Sequence, residues 1–262
     1  MFDANRAKVL FIDGKYESAA EMFYEGACEG DAEAAFNYGY CLMHGYGVGK
    51  DLSAARSFYT FASGVVGEAA YNLAVMYLHG SGVKRDYKKS YEYMHDAAEM
   101  GVIEAQLYLG VAHTIGTMFE PDIVSISLLP YHTPEYNAGA LYLDGEVPDY
   151  EADEEDRIAA VRSDAISAFS WFRTAAKHSP DYVEELSVKG KFLYARCFLD
   201  GLGTEFNKER GDALMLLAAK DGSEEAMAYI QTEAPYLLEN LKNSTLIGRI
   251  RSIEGIRSPK ET

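Results

Sequence analysis

The chain has 262 residues, 48% of them hydrophobic, and its 41 acidic and 24 basic side chains leave a formal charge of −17. Long-range repulsion argues against a nucleic-acid backbone as partner and favours a basic peptide or basic protein patch. Cys28, Cys41 and Cys197 form an odd set without metal-ligand spacing, which argues against a disulfide framework, and no run approaches the ~20 apolar residues of a membrane span.

From Met1 the chain enters an amphipathic segment directly, with no leader-like apolar run before it, so the expected location is cytoplasmic and reducing. The first helix pair is expected from Ala4 to about Gly30. Gly14 separates a helix ending near Ile12 from one with Ala19, Ala20, Phe23 and Ala27 on a single face. Asp31 then fits an N-cap for a helix with Ala35, Tyr38, Gly39 and Leu42 along one stripe, stopped by Gly45. Its partner begins near Asp51 and carries Ala54, Ala55, Phe58 and Ala62. A third pair repeats the plan with Ala70, Leu73, Ala74 and Tyr77, Gly80 at the stop, and then Ser90, Tyr93, Met94 and Ala97. A fourth opens at Gly101 with Ala105, Leu109 and Gly110 in register.

Beyond Gly110 the pattern is interrupted. Residues 118–163 read as an irregular insertion, with a helix start at Thr133-Pro134 and an exposed acidic run, Asp149 to Asp156. Degraded repeats are expected over 164–230, first with Ala168, Trp171, Phe172 and Ala175 on one stripe, then with Gly201 and Gly203 as the loop glycines. Residues 1–241 thus read as one array. The basic segment 242–262 reads as a cap helix or tail, with Leu246, Ile247, Ile250 and Ile253 at amphipathic spacing.

Repetition carries most of this reading. Gly45-Tyr46-Gly47-Val48 returns thirty-five residues later as Gly80-Ser81-Gly82-Val83, and Ala34-Ala35, Tyr38 and Asp51 return as Ala69-Ala70, Leu73 and Asp86. A period of that length marks stacked helical units. Over residues 31–110 the pattern resembles the Sel-one-like repeat (SLR) family. Tyr38-Gly39 and Leu73-Ala74 fill its Leu-Gly place, Leu42 and Tyr77 the aromatic place that follows, and Ala62 and Ala97-Ala98 the closing alanines. The resemblance implies an all-α protein, a right-handed α/α solenoid of antiparallel helix pairs similar to tetratricopeptide arrays, and a role as scaffold or adaptor.

No catalytic residue, cofactor site or metal site emerges. The chain lacks H-E-x-x-H, C-x-x-C, G-x-S-x-G and a phosphate-binding glycine loop. The acidic run has Glu154 and Ala160 where an EF-hand needs its Gly and Glu. His44 and His79 occupy equivalent places about one repeat apart, roughly 10 Å for packed helices, too far to share a zinc ion. The helix face opposite the packing stripe offers candidate peptide-binding residues: Asn37, Tyr40, Cys41 and His44 in one repeat, and Asn72, Val75, Met76 and His79 in the next. Side-chain amides offer a donor and an acceptor to a peptide main chain, and Tyr40, Val75 and Met76 offer apolar contact. The expected function is binding of a protein or extended peptide on the concave face, with no nucleic acid or membrane as partner. The alternatives are a hydrolase or redox enzyme on a repeat scaffold and a self-assembling structural component. The sequence leaves the oligomeric state open.

Overall fold

Periodic alanines, capping aspartates and loop glycines dictate helices, and in the computed structural model every regular element among the described residues is helical. Those residues are 2–115, 164–177 and 184–256. The expectations for 118–163, the acidic run included, and for 257–262 lie outside them. The helices are α1 (Ala4–Ile12), α2 (Tyr16–Cys28), α3 (Ala32–His44), α4 (Leu52–Ala62), α5 (Gly67–His79), α6 (Tyr87–Glu99), α7 (Ile103–Ile115), α8 (Ala165–Lys177), α9 (Glu184–Asp200), α10 (Lys208–Lys220), α11 (Glu224–Thr232) and α12 (Ser244–Glu254). Two 3₁₀ turns, Pro235–Leu237 and Asn240–Lys242, precede α12. The described residues form two compact units, 2–105 and 106–256, with the boundary inside α7.

Each start and stop has a chemical cause. Asp31, Asp51, Asp86 and Asn207 cap α3, α4, α6 and α10 by accepting from the backbone N–H three residues on, at 2.7, 2.9, 3.0 and 2.9 Å. This satisfies one of the donors a helix leaves open at its N-terminus. Gly45, Gly80 and Gly201 leave their helices at φ of 78°, 75° and 69°.

The loops that follow are built alike. The N–H groups of Tyr46, Ser81 and Leu202 bond to Cys41, Met76 and Cys197 carbonyls, each at 2.9 Å, and those of Asp51, Asp86 and Asn207 bond to Leu42, Tyr77 and Phe198 at 2.9, 3.0 and 2.9 Å. Thr204 therefore leaves the third loop closed in the same manner despite replacing the valine of the other two. The second loop glycine packs where no Cβ fits. A Cβ on Gly47 would lie 2.2 Å from the Tyr16 carbonyl oxygen, on Gly82 2.6 Å from Leu52 Cβ, and on Gly203 1.9 Å from the Ala165 carbonyl oxygen.

In the first unit α3 is buried on two faces, not one. Ala35 and Leu42 pack with Ala55, Tyr59 and Ala62 of α4, while Cys41 packs with Ala7, Ala19, Ala20 and Phe23 of α1 and α2. Small residues set the spacing, since a Cβ on Gly39 would meet the Tyr59 ring at 2.8 Å. Tyr59, fully buried, takes the central place that the stripe reading gave to Phe58, which is half-buried. Burying a large side chain of this kind contributes about 1.5–3 kcal/mol. Farther along, the buried Ser90 hydroxyl donates to the Ala74 carbonyl at 2.8 Å and ties α6 to α5.

In the second unit α7 pairs with α8. A Cβ on Gly110 would meet the buried Phe172 ring at 2.3 Å, and Asp164 N–H donates to His113 O at 3.0 Å, so 50 residues of chain leave and return to one place. At the C-terminal end Ile247 and Ile250 are buried, but Ile253 is 77% exposed, and Arg251 and Glu254 occupy the inward face instead. A charged pair with partners waiting displaced the apolar residue from the expected stripe.

Candidate functional site

The eight candidates separate by burial. Cys41 and Met76 are fully buried, Asn72 is 1% exposed and Val75 is 5% exposed. These four therefore cannot present side chains to a ligand, a correction to the single-stripe reading. The cause is packing on both sides of the first helix of a pair: Cys41 faces α2, and Met76 belongs to the core shared with α3 and α4. Asn72 lies against the Tyr59 hydroxyl inside the core. Asn37 is half-buried, but its Nδ2 donates to Glu33 O of its own helix at 2.7 Å. One of its two amide hydrogens is thus used one turn back, which fixes the side chain along its own helix.

Tyr40, His44 and His79 remain half-buried, and the first two belong to a cluster that stripe reasoning missed. Tyr40 and His44, one turn apart on α3, have ring centroids 4.4 Å apart. Tyr46 in the loop lies over His44 at 5.5 Å and Tyr40 at 5.9 Å, with interplanar angles of 25° and 32°. Tyr16, at the start of α2, stacks on Tyr46 at 4.8 Å and 30°. Phe11 of α1 meets Tyr16 edge-on at 5.1 Å, Tyr46 at 5.6 Å and Tyr40 at 6.1 Å. All five rings are half-buried. Three helices and one loop thus converge on a partly open aromatic surface. The signal was present in the sequence as Tyr46 between the loop glycines, but no spacing rule links it to Phe11 and Tyr16.

The electrostatics of this surface suit contact, not bond-making. Burial, reinforced by Tyr46, pushes the Tyr40 hydroxyl up to about 12. Burial pushes the neighbouring Cys41 thiol up to about 12 as well, so it stays protonated and is no nucleophile at neutral pH. Burial and then Lys50 lower His44, which keeps its ring neutral and able to stack. Aromatic faces with hydroxyl edges bind apolar and cationic groups and offer hydrogen bonds at their rims.

Among the described residues no group of three or more His, Cys, Asp or Glu side chains is arranged to hold a metal ion. No described helix is long and apolar enough to cross a membrane.

The comparisons with known proteins agree with the helix pairs. A Sel1 repeat profile matches residues 32–63, 67–102, 103–124, 135–180 and 188–223. Among solved structures the chain is similar to a Sel1 repeat protein from Oxalobacter formigenes, with 17% identity, a TM-score of 0.64, and coverage of 97% of this chain and 79% of that one. It also aligns with c5321, a protective antigen of uropathogenic Escherichia coli strains displaying an SLR fold, at 13% identity and a TM-score of 0.41, covering 98% of this chain and 65% of that one. None of the curated proteins matches the sequence. With repeat matches over more than half its length and helix pairs closed by a recurring glycine loop, the chain belongs to the Sel1 repeat family, whose members are in general α/α solenoid scaffolds for protein interaction.

Proposed function

We propose that this protein is a cytoplasmic scaffold or adaptor that binds a partner protein or an extended peptide along the first-helix side of its N-terminal repeats, the concave side in helix-pair solenoids. The observation that carries this reading is the half-buried cluster of Phe11, Tyr16, Tyr40, His44 and Tyr46. Large rings already fixed by mutual packing lose little entropy when a ligand covers them, which is why such side chains anchor interfaces. The charge of −17 favours a basic partner. The family's general role as an interaction scaffold supports the same class of function.

The test begins with affinity capture from the source organism and cross-linking of the partner. Its affinity is then measured for the wild-type chain and for Tyr40→Ala/Tyr46→Ala. The expected outcome is cross-links to α3 and its loop and a loss of about tenfold or more for the double variant at unchanged helicity. Cross-links confined to α4 and α6, with unchanged affinity, would overturn the assignment.

A further inference from the structure

The C-terminal helix is held in an unusual way. Helix α12 buries Ile247 and Ile250, with Ile256 just beyond it, at 5%, 7% and 4% exposure. It adds two ionic anchors. Arg251 pairs with Asp221, whose side chain is 3% exposed and also binds Lys191 of α9 at 2.7 Å. Glu254 receives two bonds from Arg210 of α10, at 2.7 and 2.8 Å, and one from the Tyr194 hydroxyl at 3.3 Å.

The arrangement differs from an ordinary buried ion pair in what remains when it opens. Breaking a buried pair is usually costly because one charge is stranded. Here Arg251 and Glu254 both leave with α12 and become hydrated. Asp221 stays neutralised by Lys191, whose side chain is 1% exposed. Arg210 is 42% exposed while paired, and its guanidinium lies 4.4 Å from the Phe198 ring centroid, a contact that does not involve α12. Release therefore takes the carboxylate from Arg210, a group already 42% open to water, and leaves the deeply buried Asp221 paired with Lys191. Eleven residues are too few for α12 to be stable by itself, so its helical form depends on the dock.

We propose that the face of α9, α10 and the Asp221 turn is an exchangeable helix-docking site, and that its occupant in trans is α12 of a second copy of this chain. The required chemistry is an amphipathic helix reading Ile-x-x-Ile-Arg-x-x-Glu, present in every copy as Ile247, Ile250, Arg251 and Glu254. Exchange between two copies recreates both sets of contacts, so it costs association entropy without new surface chemistry. The two 3₁₀ turns between Ala234 and Asn243 are the segment that re-aims the helix.

The test uses the full chain with Arg251→Glu/Glu254→Arg, which sets Glu against Asp221 and Arg against Arg210 and so releases α12. A fluorescent peptide of residues 243–256 is titrated into this variant and into the wild type, and dimer formation is followed by light scattering as wild-type concentration rises. Saturable peptide binding to the variant, at least about tenfold tighter than to the wild type whose own helix competes at high effective concentration, is expected. A peptide carrying the same two reversals should lose that binding, and wild type should form a dimer that the variant does not. Absence of peptide binding overturns the docking site. Peptide binding with a wild type that stays monomeric overturns the second copy as occupant. Loss of helicity well beyond the eleven residues of α12 makes the helix an obligate part of the unit and overturns exchange.

Discussion

The two glycines of each repeat loop look interchangeable in the sequence, yet they answer to different forces. Gly45 and Gly47 share a left-handed backbone, φ of 78° and 69°. A Cβ on Gly45 would find nothing nearer than 3.6 Å, whereas one on Gly47 would collide with the Tyr16 carbonyl at 2.2 Å and Glu17 N at 2.5 Å. Gly45→Ala should therefore cost only the left-handed backbone penalty, about 1–2 kcal/mol. Gly47→Ala should cost that plus an overpacking penalty of about 1–3 kcal/mol, because backbone atoms of α2 cannot rotate away. Urea denaturation midpoints of the two variants check the order, and equal losses would mean the loop moves freely off α2. Sequence alone reveals the positive φ at both positions; the close approach at Gly47 depends on where the preceding unit lies. Cys41 makes the same point, since nothing within its own helix marks it as buried against Phe23.

At the scale of helices, periodicity is legible when one face is buried and fails when two are. The second helices α4 and α6 keep recognisable stripes, Ala55, Tyr59 and Ala62 in one and Ser90, Met94 and Ala97 in the other. Helix α5 buries residues nearly all round, Tyr71, Asn72, Val75 and Met76 included, so its polar residue is no guide to an outer face. The pairing of α7 with α8 is less legible still, because 61 residues lie between Gly110 and Phe172, against 19 between Gly39 and Tyr59 in the earlier pair. That pairing has a direct test. Gly110→Ala forces a Cβ onto the Phe172 ring and should lower stability by about 1–3 kcal/mol, while Phe172→Leu opens room at its own cost. If the helices pair as described, the double variant is less destabilised than the sum, with a coupling of at least about 0.5 kcal/mol from a denaturation cycle. Strict additivity would place the two residues apart.

For the molecule as a whole, the function proposed above assigns charge and aromatic surface different parts in recognition. The excess of acid over base acts at long range, so for a basic partner it sets how often encounters succeed and is screened as salt rises, the Debye length falling from about 10 Å at 0.1 M to about 3 Å at 1 M. On the same proposal the five-ring cluster would act only on contact, where it would set how long the complex lasts. The total charge is read directly from the sequence, but the cluster exists only after α1, α2 and α3 are packed, so the one is legible without the fold and the other is not. Binding kinetics on an immobilised partner separate them. Raising NaCl from about 0.1 to 1 M should lower the association rate by roughly tenfold or more while moving the dissociation rate much less. Tyr46→Ala should do the reverse, speeding dissociation severalfold at nearly constant association, because it removes a stacked ring and no charge. A dissociation rate indifferent to Tyr46→Ala would detach the aromatic surface from binding, and an association rate indifferent to salt would leave the net charge with no part in finding the partner.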